Sequence, residues 1–237
     1  MAEQKRSIHK DLVERWTQGL HPGTVLKTDL FEEAFGQDRV LFDLVPQATH
    51  VVGMDIASPT VHLARKHCSG SGFSFLVADV RNLALRSDTF DLVFSNSTLD
   101  HFDSQAELRS ALGELARTVR PGGLLIVTLD NPSNPLYPVV RWLSRRDGAP
   151  FFLGATASAD QLALWMQEFG LQVTGQDWLI HNPRLLSTAL FLVLRRILGA
   201  RADAPIRALL GWFAALGTLS RRRTACFLAV CARKPTA

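Results

Sequence analysis

Five short apolar runs, each separated from the next by a segment that suits a helix or a turn, constrain this chain more than any other feature. They are TVLK (24–27), THVVGMD (49–55), FSFLVAD (73–79), FDLVFSN (90–96) and LLIVTLD (124–130). Their length and their content of valine, leucine and phenylalanine suit strands buried on both faces. In QAELRSALGELARTVR (105–120), Leu108, Ala111, Leu112, Leu115, Ala116 and Val119 mark one apolar helical face. Ser104 is its expected N-cap and Arg120-Pro121-Gly122-Gly123 its expected stop. Strand–helix alternation of this kind calls for parallel strands joined by right-handed crossovers. The expected fold is α/β: a doubly wound, Rossmann-like, mostly parallel sheet.

After Asp130 the rhythm breaks. NPSNPLYP (131–138) reads as an irregular loop leading to a short helix around 139–144. SADQLALWMQEFG (158–170) reads as a helix capped by Ser158 and ended by Gly170, and LQVTGQDWLI (171–180) alternates like a strand. Two apolar helical segments follow, 184–199 and 205–219, and RTACFLAVCARKP (223–235) closes the sheet as a final strand, giving a helical insertion before the last strand. Within the first segment, LSTALFLVLRRIL falls well short of the ~20 residues that span a bilayer. A lid, a dimer surface, a monotopic membrane contact and ordinary core packing all stay open for 185–219.

Composition narrows the function classes. Hydrophobic residues make up 47% and charged ones 20%, ordinary for one sizeable core. Cys68, Cys226 and Cys231 have no metal-ligand spacing and cannot all pair, so a reduced, cytoplasmic setting and no metal are expected. The start, MAEQKRSIHKDLVERW, lacks the apolar stretch of a signal peptide. The net charge of +4 is concentrated late, in Arg195-Arg196, Arg201, Arg207 and Arg221-Arg222-Arg223. Basic residues beside apolar stretches suit a membrane surface through 185–223, or simply a solvated face. Few aromatics accompany them, which argues against nucleic acid.

In an open parallel sheet, ligands bind beyond the carboxyl ends of the strands. Here those ends carry Lys27 and Asp29, then Asp55, then Asp79, then Asn96-Ser97-Thr98 with Asp100 and His101. Carboxylates at the ends of apolar strands need partners. Each one alone suits a helix or turn cap. Together they suit a nucleoside, with Asp55 accepting the ribose hydroxyls and Asp79 accepting from an exocyclic amino group.

VVGMDIASPTVHLARKH, FLVADVRNLALRSDTFDLVFSNSTLDHF and ELARTVRPGGLLIVTLDNP resemble successive motifs of the class I S-adenosylmethionine-dependent methyltransferases. The resemblance covers 24–133, and 223–235 fits the family's last strand; 134–222 is the variable substrate or lid region of one domain, 1–237. It implies S-adenosyl-L-methionine as cofactor, with Asp55 and the following Ile56 at the ribose, Asp79 and the following Val80 at the adenine, and Asn96 at the methionine side. The family's first motif has an acid and then glycines, as in VLDxGxGxG. Here TVLKTDLFEEAFG (24–36) puts Lys27 at the acid and Asp29, Phe31 and Glu33 at the glycines. Lys27 and Asp29 lie on one side of an extended backbone, where they either neutralise one another or meet the carboxylate and ammonium of the methionine moiety. Such a loop repels a diphosphate and tolerates a cationic sulfonium.

Methyl transfer from sulfur needs alignment of the acceptor and, for an oxygen acceptor, a base. His101 is the first candidate for that base and Asp100 the second. Tyr137, Trp142, Trp178, His181 and Arg184 are the expected substrate contacts, for a small lipophilic acceptor. A homodimer stays open, as do two other classes: a non-catalytic binding protein on this fold, and a cyclase or lyase that leaves the methyl in place.

Overall fold

The computed structural model describes residues 2–36, 39–44, 48–68, 70, 72–149, 152–181, 194, 196–197 and 199–236. The strands are β1 Thr24–Thr28, β2 His50–Asp55, β3 Phe73–Val77, β4 Phe90–Asn96, β5 Val119–Asp130, β6 Gln172–Leu179 and β7 Phe227–Arg233. They form one sheet in the order β3-β2-β1-β4-β5-β7-β6. The first five run parallel, and β7 pairs antiparallel with both β5 and β6. Strand order reverses between β1 and β4, and the crevice above that pair is where a doubly wound sheet takes its ligand.

Alternation along the central strands sends successive side chains to opposite faces. On one face Leu26, Met54, Val93 and Leu125 pack with helices α5 (Gln105–Thr118) and α7 (Ala159–Glu168). On the other, Val25, Val51, Leu92 and Phe94 pack with α1 (Ala2–Trp16), α2 (Phe31–Phe35), α3 (Leu41–Leu44) and α4 (Ser58–His67). Every residue of β4 is buried, and each large apolar side chain so placed contributes ~1.5–3 kcal/mol. Helix α6 (Tyr137–Ser144) and the long helix α8 (Asp203–Thr224) lie in the insertions around β6.

The caps read from sequence are present. Ser104 accepts from the Glu107 N–H at 3.3 Å and its hydroxyl donates to Glu107 Oε2 at 3.1 Å; Ser158 accepts from the Gln161 N–H at 3.1 Å. The stop of α5 differs from expectation. The helix ends at Thr118, and Arg120–Gly123 belong to the extended chain of β5. Gly122 (φ 81°) donates to Lys234 O at 2.8 Å, and the Lys234 N–H donates to Gly123 O at 3.0 Å, so this stretch is held by the end of β7. A Cβ on Gly123 would stand 2.9 Å from the Asp91 carbonyl oxygen, which restricts that position to glycine.

The helix expected over 205–219 runs from Asp203 to Thr224 with a break at Ser220 (φ −159°, ψ 70°). Most of the segment 184–199 lies outside the described residues. No described helix is long and apolar enough to cross a membrane.

Candidate active site

A cleft of about 910 Å³ opens over the carboxyl ends of β1, β2 and β4. Its lining includes Lys27, Asp29, Asp55, Ile56, Asp79 and Val80, and also Asn96, Asp100 and His101. Nine residues singled out from sequence thus come to one cavity, drawn from three crossovers and a 3₁₀ turn (Leu99–His101).

The loop after β1 dispenses with glycine by a different construction. Lys27 Nζ bonds Glu33 Oε2 at 3.0 Å and also donates to the Asp29 carbonyl oxygen. Lys27 is 3% exposed and Glu33 fully buried, and the other Glu33 oxygen accepts from the Leu41 N–H at 3.0 Å. Glu33 is the carboxylate in direct contact with the lysine, whose charge also acts on the Asp29 carboxyl. Asp29 has φ 63°, the left-handed backbone that glycine usually supplies and that aspartate tolerates better than most residues. Its Oδ1 accepts from the Phe31 N–H at 2.8 Å, turning the chain into α2. Burial pushes the Asp29 carboxyl above the usual carboxylate range, against the pull of Lys27.

Asp55 organises the next crossover. Its Oδ2 accepts from the Leu30 N–H and its Oδ1 from the Ala57 N–H, each at 2.9 Å, so one carboxylate fixes both the β1 loop and the start of α4. Ile56 beside it projects into the cleft, 63% exposed. Asp79 takes a two-pronged contact from Arg81, with Nη2 at 2.7 Å from Oδ2 and Nε at 3.0 Å from Oδ1, while Arg81 also reaches Glu107 at 2.7 Å. Hydrogen bonding from Arg81 holds the Asp79 carboxyl below its usual range.

At the end of β4, the Thr128 hydroxyl donates to Asn96 Oδ1 at 2.8 Å, which leaves the amide Nδ2 as a donor. Ser97 follows with φ 49°, a strained position of the kind found at ligand sites. Asp100 is buried and its Oδ2 accepts from the Asp130 N–H at 3.0 Å, whereas His101 stands exposed at the rim. Gly154 closes on this turn: its N–H donates to Asp100 O at 2.8 Å, and a Cβ there would collide with the Phe102 carbonyl oxygen at 2.2 Å.

Five aspartates, Asp29, Asp55, Asp79, Asp100 and Asp130, border the cleft. Both of its lysines are ion-paired, Lys27 with Glu33 and Lys5 of α1 with Glu32 at 3.1 Å. The cleft therefore favours a cationic ligand over a polyphosphate. Val140, Phe152, Leu153 and Phe227 give the cleft an apolar wall.

That wall is not the one expected from sequence. Tyr137, Trp142, Trp178 and His181 do not line the cleft, and Arg184 lies outside the described residues. Tyr137 has a buried hydroxyl, and burial together with Asp130 pushes its pKa up to about 12. Trp142 is on the outer face of α6 with Arg146 stacked over it at 3.7 Å. Trp178 lies under Arg222 at 4.9 Å, and His181 bonds Thr224 at 2.8 Å with its pKa lowered by burial and by Arg221. Asp130 was legible as the last residue of an apolar strand; Lys5, Phe152 and Phe227 come from distant segments that carry no strand-end signal.

Residues 32–127 match the family model described as a methyltransferase domain. The tRNA (carboxymethyluridine(34)-5-O)-methyltransferase of Arabidopsis thaliana is 36% identical over 78 residues, 33% of this chain and 18% of that protein. The ubiquinone biosynthesis O-methyltransferase of Sinorhizobium fredii is 27% identical over 143 residues, 56% of this chain and 55% of that protein. The chain thus spans less than two thirds of either relative. Among solved structures, the [4+2]-cyclase SpnF superposes with a TM-score of 0.62 over 97% of this chain and 81% of its own, at 21% identity, which establishes a shared fold. Residues 32–127 are thus similar to a methyltransferase domain, and the chain shares its fold with S-adenosylmethionine-dependent methyltransferases of known structure.

Proposed function

We propose that the protein transfers a methyl group from S-adenosyl-L-methionine to a small lipophilic acceptor. The observation that carries this reading is the convergence of Asp29, Asp55, Asp79 and Asn96 on one cleft with an acidic side and an apolar wall. Each Asp55 oxygen accepts a single backbone N–H, so each keeps a lone pair for a ribose hydroxyl. Ile56 and Val80 offer apolar faces to the adenine, and Asp79 Oδ2 accepts from its amino group beside Arg81. Asp29 meets the methionine ammonium, Asn96 Nδ2 the carboxylate, and Lys27 shapes the loop through Glu33 and the Asp29 carbonyl.

When bound, the cofactor supplies an electrophilic methyl on a sulfonium. The protein's own part is to hold the acceptor in line, exclude water and remove a proton. Val140, Phe152, Leu153 and Phe227 hold an apolar acceptor; His101, at the rim, takes the proton of a hydroxyl acceptor; Asp100 fixes the turn that presents His101. The apolar wall favours a small molecule over a nucleic acid, and the tRNA-modifying relative shares only a third of this chain.

The test is to incubate the purified protein with S-adenosyl-L-methionine and a panel of hydroxylated lipophilic compounds, then weigh the products. A gain of one methylene mass with release of S-adenosylhomocysteine supports the reading. An isomerised product of unchanged mass would move the chain to cyclase chemistry on the same fold.

A further inference from the structure

We propose that the outer face of α6 is a docking surface for an anionic lipid bilayer. The helix divides its side chains sharply. Val140 faces the cleft and Ser144 is buried, whereas Val139 and Trp142 are 53% and 57% exposed, with Pro138, Arg145 and Arg146 exposed beside them. At 100° per residue, Val139, Trp142 and Arg146 fall on one stripe, with Pro138 and Arg145 at its edge. Leu136 at the start of the helix extends the apolar surface, at 40% exposure.

An exposed valine and tryptophan are costly in water and suit a membrane interface, where an indole rests at headgroup level. The charge beside them selects the membrane. Residues 137–149 hold three arginines, Arg141, Arg145 and Arg146, against one carboxylate, Asp147. Among the described residues neither Arg145 nor Arg146 pairs with a carboxylate; Arg146 lies over the Trp142 ring. Asn131 and Asn134 tie the loop before α6 to the exposed basic end of α8, through bonds to Arg222 O at 2.7 Å and Ala225 O at 2.9 Å. Apolar side chains ringed by uncompensated arginines match an anionic bilayer in both hydrophobicity and charge. Because Val140, on the other side of α6, lines the cleft, the docked helix borders the apolar part of the cleft.

This inference does not rest on methyl transfer, since vesicle binding is read without cofactor. The experiment is co-sedimentation of the full chain with phosphatidylserine/phosphatidylcholine vesicles and with phosphatidylcholine alone, at low and high salt. Wild type should partition to the anionic vesicles and release in high salt. Trp142→Ala should weaken partition about tenfold, the loss of one large apolar side chain. Arg145→Glu with Arg146→Glu should weaken it by about 25-fold or more, at about fivefold for each basic residue lost. These positions are exposed, so circular dichroism should show unchanged folding. Failure of folded wild type to bind anionic vesicles overturns the proposal, as does equal binding by all variants. A dimer in sedimentation velocity that Trp142→Ala dissociates would also overturn it, by making the face a contact between copies.

Discussion

Lys27 and Glu33 form a buried ion pair of 3.0 Å at the cleft, at positions where the motif the loop resembles has an acid and a glycine. Removing one partner strands a buried charge, whereas replacing both does not. Lys27→Met or Glu33→Gln alone should therefore cost about 3–5 kcal/mol in urea unfolding. Lys27→Met with Glu33→Leu together should recover a large part of that loss. Additive losses would show that the two residues act independently.

Asp29 sets stability against binding. Burial raises its carboxyl pKa above the ordinary carboxylate range, so the folded state binds its proton more tightly than the unfolded state. Its contribution to stability is then present at low pH and is lost as pH rises through the raised value. Asp29→Asn keeps the left-handed turn and removes the buried charge. It should raise Tm at pH 7 and leave Tm near pH 3 almost unchanged, while weakening S-adenosyl-L-methionine and S-adenosylhomocysteine alike, since both carry the ammonium that Asp29 meets. Thermal melts at the two pH values and paired titrations check both parts.

The sheet was legible because each buried strand is a continuous apolar run, and the carboxylates were legible because they stand at the ends of those runs. Asp55, Asp79 and Asn96 needed only strand order to meet. The partner of Lys27 was hidden because Glu33 sits across a turn, on α2, six residues along the chain. The apolar wall of the cleft was hidden for a related reason. Which side of α6 faces the cleft depends on how that helix is rotated, and Val140 rather than the larger Trp142 points inward. Phe152 and Phe227 reach the wall from an irregular loop and from the last strand.

Arg81 controls the protonation of Asp79. Hydrogen bonds from its guanidinium depress the Asp79 pKa, so any stabilisation is present above 3.8 and fades as pH falls through the depressed value. Arg81→Ala should return the Asp79 titration toward the ordinary carboxylate range, read by carboxyl-detected NMR. An unmoved titration would assign the depression to something other than Arg81.

His101 is exposed at the rim and bonds little of the fold, so His101→Ala should leave cofactor affinity intact. With a hydroxyl acceptor kcat should fall by about 10²–10⁴, the usual worth of a positioned base. Unchanged kcat would remove His101 from the reaction.

The decisive measurement is calorimetric titration of S-adenosyl-L-methionine into wild type and Asp55→Asn. Wild type should bind saturably and the variant should lose about 1.5–3 kcal/mol, the worth of a hydrogen bond to a charged group. Absence of binding in folded wild type would contradict that expectation and mean that the Lys27–Glu33 loop has closed the site.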